Sequence, residues 1–389
     1  MRMFKKFLAV VILIATSSIP AHADSIPEQF TFTGSGYGHG VGMSQIGAKA
    51  KALAGESATA ILNYYYKDVT VAPWVDTQTI RVNIGHSLKS AYFSVPNGST
   101  LTYYAGETTT GVAQTSSGKQ KLNLSVAGNW ANLGGLKAQR FTITWSNTIS
   151  LTQNGSTSTY KYGFISVKVV KGALEITTSL NLHDEYLWGI SEVSSAWPAA
   201  ALEAQVIASR SYAASKLGPI STSCDCNVYS HISDQNFVGY SKESEPRIGK
   251  LWREAVIRTN IDTFTSLAIL QNGKPIQAYY SSSSGGATQS TLDAWGTPTR
   301  YTQSVIDSAS VDVALNPRFA SWRASSSQAL VSTAFGLPDV LTLEIISRNQ
   351  AGAVTSIKAT SSTGATKILR GDTFRSRAKL PSAWFSLAN

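Results

Sequence analysis

The sequence predicts an α+β protein, in which mixed sheets of short strands surround an alanine-rich helix and a β-rich subdomain is inserted. Residues 198–216 (PAAALEAQVIASRSYAASK) begin with proline, are rich in alanine and are followed by Gly218-Pro219, which is the pattern of a helix with a defined start and stop. Residues 78–180 instead contain short alternating runs, such as Thr79–Ile84 and Phe164–Val169, separated by Asn-Gly or glycine-rich turns.

Shorter elements flank these two regions. Two short helices are expected after the glycine-rich start, one ending at Gly55 and one from Ser57 to Tyr66, with Ser57 as N-cap. A further helix is expected near 247–258, and residues 341–389 read as short strands.

The first residues have the order of a secretory signal peptide. A basic start (Arg2, Lys5, Lys6) precedes the apolar run 7–15 (FLAVVILIA) and the small-x-small site at 21–23. An uncleaved anchor helix is the alternative, but the run is shorter than the ~20 residues that span a bilayer. We therefore expect a secreted protein that begins near Asp24 and has no membrane span.

The chain is basic, with a formal net charge of +10, or about +7 once residues 1–23 are removed. We interpret the excess as spread along the chain, because no lysine or arginine block stands out. Nucleic acid is therefore not expected as a partner, and a polyanionic wall polymer fits better. The nine Trp and sixteen Tyr suit stacking on sugars, although most aromatic rings in a globular protein fill the core.

Cys224 and Cys226 are separated by one residue. A disulfide between them closes a very small ring, whereas ordinary disulfides need Cα atoms about 4.4–6.8 Å apart with relaxed torsions. Free thiols, a strained redox pair and metal ligands remain as alternatives.

Three segments are denser in special residues than a core requires. In the first, GYGHGVGMSQ at 36–45, four alternate glycines permit positive φ or close approach of a ligand, and leave His39, Ser44 and Gln45 as the polar side chains. The ending of a P-loop is missing. A structural glycine turn with a hydrogen-bonded histidine is the other interpretation.

The second segment is YLWGISEVSSAWP at 186–198. Glu192 lies among Trp188, Ile190, Val193 and Trp197, and apolar surroundings raise the pKa of a carboxyl group, so that it can hold a proton near neutral pH. A helix cap is the alternative role.

The third segment, YYSSSSGGAT at 279–288 followed by Asp293-Ala294-Trp295-Gly296, is a hydroxyl-rich, glycine-bent loop suited to sugar binding. It contains no GxSxG nucleophile elbow. A polar surface loop is the alternative.

These three segments resemble the signature blocks of the SpoIID/LytB family. The first resembles GxGHGVGMSQxGA, the second GVxxxEMPxxWP followed by EALKAQAVAARTYA, and the third FxSSSGGxT…WG. Residues 234–240 (DQNFVGY) resemble the intervening DQxYxG of the family. Residues 373–375 and 384–385, near the end of the chain, also resemble the family's pattern. Sporulation members are lytic transglycosylases acting on glycan strands that lack stem peptides, whereas the LytB branch is described as amidase enhancers.

The resemblance implies the site residues. Glu192 occupies the catalytic position, and Arg210 is assigned to orienting Glu192 or a lactyl or N-acetyl group. Substrate-binding positions are His39, Gln45, Ser283, Gly285 and Trp295. Some members have a zinc site of two Cys and one His, so Cys224, Cys226 and His231 are candidates for a structural zinc; no cofactor is required for the reaction.

The expected function is thus cleavage of peptidoglycan glycan strands to 1,6-anhydromuramyl ends. The alternatives are a non-catalytic enhancer that stimulates a cell-wall amidase and a glycan-binding module with a dead active site.

The order of the blocks predicts a circular permutation, because the glycine block here comes first rather than last. We therefore expect residues 30–32 to lie beside the strand at 384–387. The expected division is 1–23 signal peptide, 24–76 glycine-block segment, 77–180 β-rich subdomain, 181–310 catalytic core and 311–389 C-terminal β segment of the core.

Overall fold

A computed structural model describes residues 25–111 and 113–388. The predicted signal peptide lies outside these residues. Among the helices of the described part, none has the length and apolar character needed to cross a membrane.

The nine helices of the described residues are short, except for one in the middle of the chain. They are α1 Gln45–Leu53, α2 Ala58–Tyr65, α3 Glu185–Trp188, α4 Ala199–Ser215, α5 Tyr240–Glu243, α6 Gly249–Arg258, α7 Thr291–Trp295, α8 Gln328–Phe335 and α9 Gly371–Arg377. A 3₁₀ turn covers Ser308–Val311. The helices predicted at the glycine-rich start, after Pro198 and near 247–258 are confirmed, and Ser57 Oγ caps α2 by accepting the Ala60 N–H.

The strands fall into six sheets. Before the β-rich segment lie β1 Gln29–Ser35, β2 Met43–Ser44 and β3 Thr70–Val75. The β-rich segment contains β4 Thr79–Leu88, β5 Ser90–Ser94, β6 Thr100–Ala105, β7 Ala113–Ser117, β8 Leu122–Ala127, β9 Trp130–Leu133, β10 Leu136–Ala138, β11 Arg140–Trp145, β12 Ile149–Gln153, β13 Ser156–Tyr160, β14 Phe164–Val170 and β15 Ala173–Asn181. After it come β16 Val228–Tyr229, β17 Thr265–Gln271, β18 Lys274–Pro275, β19 Tyr280–Ser281, β20 Trp322–Ser327, β21 Thr342–Arg348, β22 Val354–Thr360, β23 Thr366–Arg370 and β24 Trp384–Ala388. Separate sheets and interspersed helices confirm the α+β class.

Two antiparallel sheets form the β-rich segment. Their orders are β10-β9-β8-β5-β12-β13 and β16-β4-β15-β14-β11-β6-β7, in which only β16 pairs in parallel. The predicted Asn-Gly turn is confirmed at 154–155, where both residues have positive φ, of 48° and 78°, as a two-residue hairpin requires. Both sheets contribute side chains to one apolar core, including Phe93 and Phe141.

Helix α4 lies at the centre of the remaining elements. Thirteen of its seventeen residues are buried, because one side packs on the core of the β-rich segment through Leu202 and Val206. Another side packs on α2 through Ala204 and Ile207. A helix that is buried nearly all round needs small residues where its neighbours approach closely, which accounts for the alanines.

Strand β1 joins the two ends of the described chain. It pairs antiparallel with β24, with Thr31 opposite Ala388 and Ser35 opposite Trp384, and its other edge pairs with β20. The predicted neighbourhood of residues 30–32 and 384–387 is therefore confirmed. In this arrangement the end of β24 lies beside the start of β1, as a hairpin between them would require.

The C-terminal region differs from its prediction at one element. Residues 371–377 form α9, not a strand, and Phe374 of this helix packs against Phe32 and Phe385 with ring centroids 5.8 and 5.7 Å apart. The packing of Phe374 against residues distant in sequence stabilises this helix. The segment itself is short and polar and has little periodicity, so its sequence did not predict a helix.

Arg210 lies inside α4 and does not contact Glu192, so its predicted role in orienting Glu192 directly is not supported. Its side chain is fully buried, with Nε 3.1 Å from Asp76 Oδ2. The guanidinium donates to Thr259 Oγ1, the Leu267 carbonyl and Asn260 Oδ1, each at 3.0 Å. Burial lowers the pKa of Arg210 to about 10, while Asp76 opposes this effect.

His183 extends this network. Its Nδ1 lies 2.7 Å from Asp76 Oδ1, and its Nε2 lies 2.9 Å from Asn260 Nδ2. Because Asn260 Oδ1 already accepts from Arg210, its amide nitrogen donates to His183 Nε2, and the histidine proton therefore sits on Nδ1, facing Asp76. The network ties α4 to the ends of β3 and α6 and to β17.

We predict that Arg210→Met destabilises the fold by about 3–5 kcal/mol, because it leaves the fully buried Asp76 carboxylate without its charge partner. Asp76→Asn in the same chain should restore part of the loss. Urea unfolding measures both variants, and Arg258→Met, which removes an exposed pair with Glu203, is the control and should cost less than about 1 kcal/mol. A loss no larger for Arg210→Met than for the control would contradict this role.

Candidate functional site

Glu192 lies in the loop between α3 and α4, and this loop is tied to a second loop at 234–238. Ile190 forms a β-bridge with Phe237. The Ser191 N–H donates to the Asn236 carbonyl at 2.8 Å, and Asn236 Nδ2 donates to the Ser191 carbonyl at 2.7 Å. These bonds fix the backbone immediately before Glu192.

Two hydrogen bonds reach the same oxygen of Glu192. Its Oε1 accepts the Asn236 N–H at 2.7 Å and the Tyr280 hydroxyl at 3.1 Å. Burial raises the pKa of Glu192 above its ordinary value, and the two hydrogen bonds oppose that rise. The raised pKa agrees with the expectation from its apolar neighbours. The alternative role as a helix cap is wrong, because α4 begins after Pro198 and its N-cap makes no side-chain hydrogen bond.

A directed chain of hydrogen bonds supports Tyr280. Tyr186 Oη donates to Gln235 Oε1 at 2.7 Å, and Gln235 Nε2 donates to Tyr280 Oη at 2.9 Å. Burial raises the pKa of both tyrosines well above 10, so both keep their protons. Since Tyr186 fixes the orientation of the Gln235 amide, the proton of Tyr280 must point to Glu192. Glu192 Oε1 is thus held as an acceptor, and Oε2 is the oxygen left to carry a proton.

The glycine block, residues 36–45, packs against the strand that carries Tyr280 and helps to fix its position. Strand β2 pairs in parallel with β19, with Met43 opposite Tyr280. Gly36, Gly38, Gly40 and Gly42 all have positive φ. A Cβ on Gly42 would stand 2.0 Å from the Tyr279 carbonyl oxygen, which shows why this position must be glycine. The glycines therefore allow close approach of the chain to itself, as a structural turn does.

His39 and Trp295, two predicted substrate-binding residues, lie together. Their rings are 5.2 Å apart, and Tyr279 lies 4.7 Å from Trp295. His39 Nδ1 accepts the Val41 N–H at 3.0 Å. Burial, followed by the charge of Arg375, lowers the pKa of His39 to about 3, so the ring is neutral near pH 7 with its proton on Nε2. Trp295 is 37% exposed and offers an aromatic surface. We call these three residues the aromatic wall.

The other predicted substrate-binding residues are buried or packed. Gln45 Nε2 donates to Gln205 Oε1 of α4 at 3.2 Å, which holds α1 on α4. Ser283 is fully buried, and its hydroxyl has no partner among the described residues. A Cβ on Gly285 would stand 2.0 Å from the Trp384 ring, so Gly285 permits packing of the indole. These three residues support the site and do not line it.

The predicted metal ligands do not fit a metal site. Cys224 and Cys226 form a disulfide with Cα atoms 5.2 Å apart, and Asp225 between them has a φ of 52°. This left-handed residue curls the chain and brings the Cα atoms within the ordinary range, which the sequence argument did not anticipate. His231 is exposed, and its ring lies against Tyr229 with the centroids 5.1 Å apart and the planes tilted by 35°. Among residues 25–111 and 113–388, no group of three His, Cys, Asp or Glu side chains is arranged to hold a metal ion.

No role was predicted from the sequence for Tyr186, Gln235, Asn236 and Tyr280. All four lie in segments with recognisable motifs, at 186–198, 234–240 and 279–288. The sequence feature that could have pointed to them is the occurrence of tyrosine and amide side chains in separate motifs. Their mutual hydrogen bonds depend on long-range folding, which the motifs do not encode individually.

A family match covers part of this site. The family model described as "Stage II sporulation protein", SpoIID, matches residues 171–265, which include Glu192, α4 and Gln235. A search of curated proteins finds no match. Residues 171–265 are therefore similar to the SpoIID family, and this similarity implies a cell-wall or sporulation-related function with a link to peptidoglycan hydrolysis.

Proposed function

We propose that this chain is a secreted lytic transglycosylase that cleaves peptidoglycan glycan strands lacking stem peptides. The observation that carries the proposal is the geometry of Glu192, whose carboxyl group has a raised pKa and whose Oε1 is held by two donors. A carboxyl group that keeps one oxygen fixed and the other protonated suits a general acid.

The first step is protonation of the leaving group. Glu192 Oε2 gives its proton to the glycosidic oxygen, the C1–O bond breaks with its electron pair moving to that oxygen, and positive charge develops at C1. The Asn236 N–H and the Tyr280 hydroxyl then stabilise the carboxylate that forms on Glu192, because both already donate to Oε1.

In the second step the same carboxylate acts as a base. It removes the proton of the C6 hydroxyl of the sugar, whose oxygen attacks C1 and closes a 1,6-anhydro ring. Glu192 ends protonated, so no proton is gained or lost in a cycle.

This route needs one carboxyl group, whereas hydrolytic glycosidases use two. Among the described residues, Asn236 and Tyr280 donate the hydrogen bonds that Glu192 receives, and this arrangement suits the acid and base roles that the single-carboxyl route gives to one residue.

The aromatic wall supplies the surface for sugar binding. The rings of Trp295 and Tyr279 pack edge to face, and sugars stack on such amphipathic rings. A neutral His39 adds no charge to this surface. Its position next to the Tyr280 backbone links the wall to the residue that contacts Glu192.

We predict that Glu192→Gln abolishes the formation of anhydromuramyl ends on denuded glycan strands, with a loss of at least the ~10²–10⁴-fold that general acid–base catalysis contributes. Mass spectrometry of the digested strands measures the products. Glu203→Gln, the same chemical change at a surface pair with Arg258, is the control and should keep activity.

Identical products from wild type and Glu192→Gln, or none from either, would overturn the enzymatic proposal. If a cell-wall amidase is stimulated equally by both proteins, the chain acts as an enhancer.

We predict that Tyr280→Phe shifts the pH profile of cleavage. The Tyr280 hydrogen bond stabilises the carboxylate and lowers the pKa of Glu192, so its removal raises that pKa further. Because the acid form starts the reaction, the alkaline limb of kcat/KM should move to higher pH. Tyr279→Phe is the matched control, since the hydroxyl of Tyr279 does not contact Glu192. If the alkaline limb of kcat/KM lies at the same pH in the two variants, the role of Tyr280 is refuted.

A further inference from the structure

The positive charge of the chain is concentrated in the β-rich segment. Residues 77–180 contain nine Lys and Arg and two Asp and Glu, whereas the rest of the chain from residue 24 onward contains twenty-one of each sign. The expectation that the excess is spread along the chain is therefore wrong. Residues 77–170, which precede the match to the SpoIID family at 171–265, already contain eight Lys and Arg and one Glu.

Part of this charge is neutralised internally. Asp225, in the disulfide loop, forms ion pairs with Arg81, Arg140 and Lys168 at 3.1, 2.9 and 3.3 Å. Lys89, Lys137 and Lys171 are instead exposed. Within the described chain, none of these three lysines forms an ion pair with a carboxylate.

One of these exposed lysines, Lys137, lines a groove. The groove has a volume of about 540 Å³, is open to solvent, and is also lined by Trp130, Arg140 and Lys168. Glu107 lines it as well and pairs with Arg140 at 3.2 Å. Trp130, at the β8–β9 turn, is 52% exposed. We call this feature the Trp130 groove.

Lys89 and Lys171 lie at its edge. The Lys89 ammonium donates to the Gly172 carbonyl at 2.8 Å, beside Lys171 in the β14–β15 turn. A Cβ on Gly172 would stand 3.7 Å from the Gly128 carbonyl oxygen, which places this turn against the β8–β9 turn that carries Trp130.

We propose that the Trp130 groove binds an anionic wall polymer built of sugars or polyols joined by phosphodiesters. Lysines without carboxylate partners attract repeated phosphates, and an exposed indole offers a stacking face for a sugar substituent. The single exposed aromatic ring of the groove favours this polymer over single-stranded nucleic acid, whose binding proteins stack successive bases on several rings. The groove would hold the protein at the wall independently of the Glu192 site.

The test is binding of the full mature chain to fluorescently labelled poly(glycerol phosphate), with and without glucosyl substituents, measured by fluorescence polarisation. Lys89, Lys137 and Lys171 are changed together to Glu. The matched control changes Lys250, Lys274 and Lys367 to Glu; these lysines are exposed, lie outside the β-rich segment and give the same net charge.

The groove variant should bind at least about tenfold more weakly than wild type, and the control within about threefold. Binding to wild type should also weaken by roughly tenfold or more between about 50 and 200 mM salt, as displacement of about three counterions requires. Trp130→Ala should weaken binding of the glucosylated polymer but not of the bare one.

Equal losses in the two triple variants would show binding by net charge alone and overturn the proposal. Binding of a DNA oligonucleotide as tight as that of the polymer would also overturn it. Both outcomes are independent of glycan cleavage, which Glu192→Gln tests separately.

Discussion

The hydrogen bond from Tyr280 to Glu192 is the interaction on which the site depends, because it joins parts of the chain that are far apart in sequence. Glu192 precedes α4, and Tyr280 lies 88 positions later on β19. Gln235 and Tyr186 fix the direction of the bond, so that Glu192 Oε1 always receives hydrogen bonds. The two oxygens of Glu192 therefore differ in hydrogen bonding, and the groups responsible are all neutral. This difference persists while Tyr186 and Tyr280 remain protonated.

The glycine block determines where Tyr280 lies. Its four left-handed glycines let β2 run against β19, and Gly42 meets the Tyr279 carbonyl at a distance that excludes any side chain. This block stands near the start of the chain, but β1 carries it to β24 at the other end. The pairing of β1 with β24 therefore helps to place Tyr280, which is more than a hundred residues from either strand in sequence.

Local patterns predicted much of the fold. The Pro198 start of α4, the Ser57 cap and the Asn154-Gly155 turn all depend on short-range chemistry, and each is confirmed. The raised pKa of Glu192 was also predicted, because its apolar neighbours are visible in the sequence. Arg210 was misjudged, since a position inside a buried helix does not reveal that its partner is Asp76, 134 positions earlier. The Cys224–Cys226 disulfide was discounted because the positive φ of Asp225 is a property of the folded loop.

The proposed reaction requires a protonated Glu192 whose pKa is controlled by Tyr280. The most direct measurement is a titration of the Glu192 side-chain carboxyl ¹³C signal by NMR, in wild type and in Tyr280→Phe. We predict a wild-type midpoint above the ordinary value of 4.5, and a still higher midpoint in the variant. A wild-type midpoint at or below 4.5, or a variant whose midpoint falls, would contradict this role of Glu192.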